Sequence, residues 1–292
     1  MASSNDRDVP WRFVKSLHLK KHRDEVGLSL AEGLRVVKVC IDAGVEIQSL
    51  FLSREFVEST AGEAFQCEVE AYRRVAAGLS GRLFPVYTVR DELFEKMSAT
   101  EAPQGVLAVI PVPPRFIRAQ PRGLWPEPLV VVGSGIQDPG NVGTMVRTAA
   151  AFGATEVIFG NDSADPFSPK AIRASAGGFV QVKVTRVRSV EDELCRWSEQ
   201  GVTLWKTHPA EGTLPWEAPL TGPVAIAFGS EARGLPASLD RLIPLALRVP
   251  MPGGVESLNV GVSCAIILYE VLRQRSLPRG LSTKTVPSQG PV

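Results

Sequence analysis

Cysteine and histidine are scarce in this chain of 292 residues, which holds four of the first and three of the second. Cys40, Cys67, Cys195 and Cys264 lie far apart with no CxxC pair, and His18, His22 and His208 complete no zinc-ligand spacing. That excludes a zinc ribbon and a CxxC redox module, and it predicts free, buried thiols in a reducing cytoplasm with no bound metal. Long apolar runs are missing too. None approaches the ~20 residues that span a bilayer, and the opening MASSNDRDVPW has no signal-peptide core. A cytoplasmic protein with no membrane partner is therefore expected. Nor is there an excess of charge: 32 basic against 31 acidic residues leave a net charge of +1. Any surface for nucleic acid has to be a local patch, because the whole chain carries no electrostatic footprint. No repeat of fixed period is evident, which excludes a solenoid.

What is present fits a folded α/β protein, with 44% hydrophobic and 22% charged residues. The length suits two domains. Polar residues 1–11 and the Pro, Ser and Gly-rich residues 277–292 are expected to be mobile tails. Proline-dense VPPRFIRAQPRGLWPEP resists regular structure and marks a linker over 113–127, between domains at 12–112 and 128–276. In the first domain the pattern predicts a helix from about 31 to 43 ended by Gly44, then strands over 47–52, 84–89 and 105–112, with a helix at RDELFEKMS. This is a small α/β sandwich. The second alternates LVVVGSGI, EVIFG, VTLWKTH and PVAIAFGS with helical stretches after Asn141, near 168–175, at EDELCRWSEQ and from Asn259 to Arg275. Near-continuous apolar strands between helices predict a mostly parallel sheet covered on both faces, with ligands at the carboxyl ends of its strands.

Four loops carry the chemistry. In DPGNVGTMVRTAAAFGA, Val142, Met145, Val146, Ala149 and Phe152 follow one buried helix face, Asn141 suits the N-cap and Gly153 the stop. Arg147 falls off that stripe; a solvated arginine is the plain alternative. IAFGSEARGL ends a buried strand in Phe228, Gly229, Ser230, Glu231, Arg233 and Gly234, glycines that let backbone approach a ligand or simply make a tight turn. RVPMPGGVESLN brings Val249, Met251, Ser257, Leu258 and Asn259 to a helix start, as a ligand site or as ordinary capping. DPFSPKAIRASAGG adds Lys170 and Arg173.

Together these loops, in their order, resemble the SpoU (TrmH) family of RNA ribose 2′-O-methyltransferases in the SPOUT superfamily. The likeness extends to the first domain, where LKKHR, LAEGLRVVK and APQGVLAV resemble a ribosomal-protein-like substrate-binding domain. The second loop departs from the family's usual form, with Ser230 and Ala232 where Asn and Gly are common. The resemblance implies S-adenosylmethionine as methyl donor, a C-terminal trefoil knot and a homodimer whose active site borrows residues across the interface. Strand and helix patterning alone predicts an unknotted sheet. By motif position, the resemblance assigns Asn141, Arg147, Glu231, Ser257 and Asn259 to catalysis. It assigns Phe228, Gly229, Gly234, Val249, Met251 and Leu258 to the cofactor.

Such chemistry needs alignment, because the sulfonium methyl is already electrophilic while an alcohol is a poor nucleophile. A permanently protonated arginine is a poor base, so Arg147 is expected to grip a phosphate and stabilise developing oxyanion charge while water or phosphate takes the proton. Lys20, Lys21, Arg23, Arg35, Lys170 and Arg173, with Lys15, His22 and Lys38, are the expected phosphate contacts; solvated surface is the alternative. The ribose 2′-hydroxyl points to RNA, and the attached domain leans toward large-subunit ribosomal RNA over transfer RNA. Two rivals remain. A nucleotide-dependent dehydrogenase would use GSGIQDPG, but this lacks the GxGxxG register. A cofactor-binding assembly factor without turnover would keep the same residues.

Overall fold

The computed structural model describes residues 9–80, 83–114, 116, 125–230 and 233–276. The first sheet is built from β1 (Leu28–Glu32), β2 (Ser49–Ser53), β3 (Val86–Val89) and β4 (Val106–Pro111), in the order β1-β4-β2-β3. Strand β4 runs antiparallel to β1 and β2, whereas β2 and β3 are parallel. Six helices accompany them among the described residues: α1 (Trp11–Ser16), α2 (Lys20–Val26), α3 (Leu34–Ala43), α4 (Arg54–Glu58), α5 (Thr60–Ser80) and α6 (Asp91–Met97). Both faces are covered. Because side chains alternate along a strand, Val106, Ala108 and Ile110 meet Val37, Cys40, Phe65 and Val69 of α3 and α5, while Leu107 and Val109 meet Val14, Phe94 and Met97 of α1 and α6.

Two expectations need correction here. The helix predicted from 31 starts only at Leu34, because residues 28–32 form β1, paired residue by residue with β4, and Gly33 turns the chain with φ at 100°. Helical spacing could not reveal a strand that is buried on both faces. Gly44 does end α3, in the left-handed region. The expected N-terminal tail is also shorter, since Val9 is buried beside Val14 and Trp11 opens α1. Residues 1–8 and 277–292 of the predicted tails lie outside the described residues, as do 115 and 117–124 of the linker.

The second sheet holds β5 (Leu129–Gly133), β6 (Glu156–Gly160), β7 (Lys183–Val187), β8 (Thr203–Thr207), β9 (Val224–Phe228) and β10 (Leu245–Leu247). Their order is β10-β8-β9-β5-β6-β7, and every pairing is parallel. Helices α7 (Pro139–Ala151), α8 (Pro169–Ala174) and α11 (Val260–Ser276) pack on one face, against Val131, Val157 and Ile226. Helices α9 (Val190–Glu199) and α10 (Ala237–Leu242) pack on the other, against Val130, Ile158 and Ala225. Strand β7 escaped the sequence reading because it is a half-exposed edge, with only Val184 buried.

The sheets share one apolar cluster, running from Val37 and Cys40 through Phe167 and Ile172 to Val146. At this seam Arg23 and Asp165 form a buried ion pair, Nη2 to Oδ2 at 2.6 Å with Nε at 3.2 Å. The Ser29 hydroxyl donates to the Phe167 carbonyl nearby. Gly177 is held against α3: a Cβ there would lie 2.6 Å from Val39 Cγ1. Chain re-entry after the linker is pinned by Arg275, whose guanidinium donates to the Glu127 and Pro128 carbonyls.

Candidate active site

Strands β8, β9 and β10 end at one cleft, roofed by the start of α11. Its walls include Thr207, His208, Phe228, Gly229, Ser230, Gly234, Val249, Met251, Ser257 and Leu258, and its cavity volume is about 120 Å³. All six residues expected to hold the cofactor are there. Gly229 is required by packing, because a Cβ would lie 2.2 Å from the Gly234 carbonyl carbon. The loop closes on itself through Ser230 N–H to Gly234 O at 3.1 Å and the reverse bond at 2.9 Å, with Gly234 at φ 66°.

The lining chemistry discriminates between ligands. Aliphatic Val249, Met251 and Leu258 suit a flat base, and the Ser230, Ser257 and Thr207 hydroxyls suit a ribose. No lysine or arginine stands among the described lining residues, where His208 is the one titratable side chain. A dinucleotide pyrophosphate would find no cation here, and the glycine-rich fingerprint of such sites is also missing. S-adenosylmethionine carries no phosphate, so the residues present fit it. His208 is a lining residue that the sequence reading missed; its place directly after a buried strand was the available signal. Its Nδ1 accepts the Glu211 N–H at 2.8 Å, which fixes the ring.

Beside the cleft, Asn259 and Asn141 join two helix starts. Asn259 Nδ2 donates to Asn141 Oδ1 at 2.9 Å, while Asn259 Oδ1 caps α11 by accepting the Gly261 N–H at 2.9 Å. The helices cross closely at that point, since a Cβ on Gly261 would sit 2.7 Å from Thr144 Cγ2. Asn141 is not the N-cap of α7 as expected. Asp138 takes that position with Pro139 following, a residue whose fixed φ suits the first helical place. Asn141 is thereby the third residue of the helix, three positions beyond the cap, and is released to meet Asn259. Asp138 in turn binds Lys170 at 2.7 Å. Its carboxyl is held below the usual carboxylate range, first by that hydrogen bond and then by the Gly140 N–H. Ionisation therefore favours this contact at neutral pH, and the benefit disappears as pH falls through the lowered value.

Arg147 stands apart. It lies six residues beyond Asn141, about 240° around the helix and ~9 Å along it, is exposed, and is not among the residues lining the cleft. Its backbone is pressed against Gly178, where a Cβ would come within 2.9 Å of Arg147 Cα. Glu231 lies outside the described residues.

The expected phosphate contacts divide. Lys20, Lys21 and Arg35 are exposed, and Lys170 is exposed but paired. Arg23 has to be withdrawn: its side chain is 3% exposed, and Nη1 is used by the Leu17 and His18 carbonyls, so no phosphate reaches it. Arg173 is half-buried, 3.5 Å from Glu32. The thiols also divide, Cys40 and Cys264 being buried and Cys67 and Cys195 exposed, against the expectation that all four are buried. Burial pushes the Cys40 thiol up to about 12 and raises that of Cys264. Among the described residues no helix is long and apolar enough to cross a membrane, and no cluster of three or more His, Cys, Asp or Glu is placed to hold a metal.

Parallel-strand ends, a cleft with no lysine or arginine among its described lining residues and two joined helix starts make an α/β site that a phosphate-free nucleoside cofactor fits. Residues 128–269 match the SpoU rRNA methylase family, and residues 12–108 match the MRM3-like substrate-binding domain. An uncharacterized tRNA/rRNA methyltransferase of Synechocystis is 32% identical over 262 residues, 90% of each chain. The 23S rRNA (guanosine(2553)-2'-O)-methyltransferase RlmP of Bacillus subtilis is 29% identical, covering 92% of this chain and 97% of that one. The AdoMet-bound rRNA methyltransferase of Sinorhizobium meliloti superposes with a TM-score of 0.73 at 28% identity, covering 94% and 97% of the two chains. The chain belongs to the SpoU family of RNA ribose 2′-O-methyltransferases. It is an enzyme of that class, with S-adenosylmethionine as its methyl donor.

Proposed function

We propose that this enzyme methylates a ribose 2′-hydroxyl in structured large-subunit ribosomal RNA, in the cytoplasm and as a homodimer. The observation that carries this reading is the cleft, with no lysine or arginine among its described lining residues, beside the Asn141 and Asn259 pair. When bound, the cofactor supplies an activated methyl group. The protein's part is to hold the acceptor hydroxyl in line and offset the charge that develops on it. Asn141 and Asn259 keep the two helix starts in register, and Ser257 offers a hydroxyl at the cleft wall. The Arg147 guanidinium grips a phosphate and stabilises the oxyanion while water or that phosphate takes the proton.

Arg147 is absent from the lining of its own cleft, and a second copy of the chain supplies it. The surface for that copy is on α11, where Val262, Ile266 and Tyr269, spaced on one helical face, are 47%, 40% and 57% exposed. Tyr269 meets Phe152 at the end of α7 edge to face, so the apolar stripe continues toward the helix that carries Arg147. The knot, implied by the family resemblance, belongs to the same reading.

The test is methyl transfer from labelled S-adenosylmethionine to RNA from cells lacking the enzyme, followed by mapping of 2′-O-methyl positions. One new site in large-subunit rRNA is expected. Sites confined to transfer RNA would overturn the substrate, and cofactor binding without transfer to any RNA would favour the assembly factor.

A further inference from the structure

His208 follows β8, the middle one of the three strands that end at the cleft, and opens a short loop tied at both ends to β10. Its own N–H donates to the Leu247 carbonyl at 3.0 Å, the Thr213 N–H to the Ala246 carbonyl at 2.8 Å, and the Arg248 N–H to the Thr213 carbonyl at 3.0 Å. Gly212 is pressed onto β10, where a Cβ would lie 2.6 Å from the Ala246 carbonyl oxygen, and its φ is 123°. Inside this loop the ring is fixed by two donors: Nδ1 accepts the Glu211 N–H at 2.8 Å and the Ala210 N–H at 3.3 Å. A ring nitrogen that accepts carries no proton, so the neutral imidazole holds its proton on Nε2. The half-buried ring lines the cleft, and among the described residues Nε2 makes no hydrogen bond and is not shielded from solvent. The hydroxyls around it are less particular. Thr207 donates to the Ala227 carbonyl at 3.3 Å, and the Ser230 oxygen accepts the Arg233 N–H at 3.0 Å. A hydroxyl turns to give or to take, whereas Nε2–H can only give.

S-adenosylmethionine carries two cationic groups, its sulfonium and its ammonium, and one anionic group, its carboxylate. With no lysine or arginine in the described lining, that carboxylate has to be held by neutral donors. His208 is the one side chain of the described lining that offers an N–H, and a donor gains most where its acceptor bears a full charge. We propose that His208 is a cofactor-specificity residue, its Nε2–H donating to the carboxylate of the bound S-adenosylmethionine. The loop holds the ring before the ligand arrives, so little side-chain freedom is lost on binding. The contact selects the complete cofactor over nucleosides that lack the amino acid. The inference rests on the reading of the cleft as the cofactor site and adds the residue that recognises the cofactor's charged end.

The experiment titrates the full chain by calorimetry with two probes: S-adenosylhomocysteine, which keeps the carboxylate, and methylthioadenosine, which lacks the amino acid. His208→Asn keeps an acceptor in the place of Nδ1, so the loop stays tied, and removes the donor at Nε2. It should weaken S-adenosylhomocysteine by about tenfold, the scale of one hydrogen bond to a charged group, and leave methylthioadenosine unchanged. Equal weakening of both probes, or of neither, overturns the assignment. Nitrogen NMR of the unaltered protein with labelled histidine needs no variant: the His208 proton should be on Nε2 before binding, and the Nε2 signal should move with S-adenosylhomocysteine but not with methylthioadenosine. A proton on Nδ1, or equal movement with both probes, overturns it too. Gly229→Val, which fills the cleft, separates the two readings. If it leaves S-adenosylhomocysteine binding intact, the cleft is not the cofactor site and that reading fails first; if it abolishes binding while His208→Asn changes nothing, only the role of His208 fails.

Discussion

The cleft at the ends of β8, β9 and β10 and the seam between the two sheets are built from opposite materials. The cleft is walled by aliphatic side chains, hydroxyls and glycines, with no cation among its described lining. The seam buries charge: Arg23 with Asp165 at 2.6 Å, and Glu32 facing Arg173 at 3.5 Å. Within one chain, the described lining of the cofactor cleft is thus without lysine or arginine, while buried positive charge joins the two halves. The lesson concerns reading basic residues. A cationic side chain near a motif is a phosphate contact only if its charge still faces solvent once the domains have docked.

The largest effect that would break this contrast is on catalysis. Arg147→Lys keeps the charge but loses the planar fork; turnover on RNA should fall by about 10²–10³-fold with cofactor affinity unchanged, as for removal of one transition-state donor. Mixing Arg147→Lys subunits with subunits impaired in the cleft by Gly229→Val should restore about a quarter of the activity, because random pairing makes half the dimers mixed and each of these holds one intact composite site. Full independence of the two variants would show that Arg147 serves its own chain. Next comes the seam. Arg23→Ala leaves Asp165 buried and unpaired, and thermal or denaturant unfolding should show a loss of about 3–5 kcal/mol. Replacing both partners by apolar residues should recover most of it. A loss below about 1 kcal/mol for the single change would mean that the pair is wetter than its 3% and 5% exposures indicate.

Smaller changes sharpen the comparison. Asn259→Ala removes the cap of α11 and the bond to Asn141, so unfolding should register about 1 kcal/mol and methyl transfer should fall by more than the stability loss accounts for. The smallest effect is chemical. Cys67 and Cys195 should react with a thiol reagent at pH 8 in the folded protein, while Cys40, with its thiol pushed up to about 12, and Cys264 react only on unfolding. Four fast thiols would show that the cores of both domains open easily.

Loops at strand ends were legible because they act through local chemistry. Gly229, Val249, Met251, Ser257 and Leu258 sit in motifs whose turns and caps follow from adjacent residues, and all of them line the cleft. Residues 28–32 were misread as the approach to a helix, since only pairing with β4, about eighty residues further on, makes them a strand. Asn141, which the structure bonds to Asn259, was given the wrong capping role, because Asp138 and Pro139 compete for the same turn.

The sequence by itself determined the family, the cofactor class and the alternation of strands and helices, since these depend on short-range periodicity and on motif order. Tertiary structure alone decided that Arg23 is buried while Arg35 is not, that Glu32 and Arg173 face each other, and that Arg147 leaves its own cleft. The reason is distance along the chain. Burial of a charge depends on a partner such as Asp165, 142 residues from Arg23, and no local pattern records that such a partner will arrive.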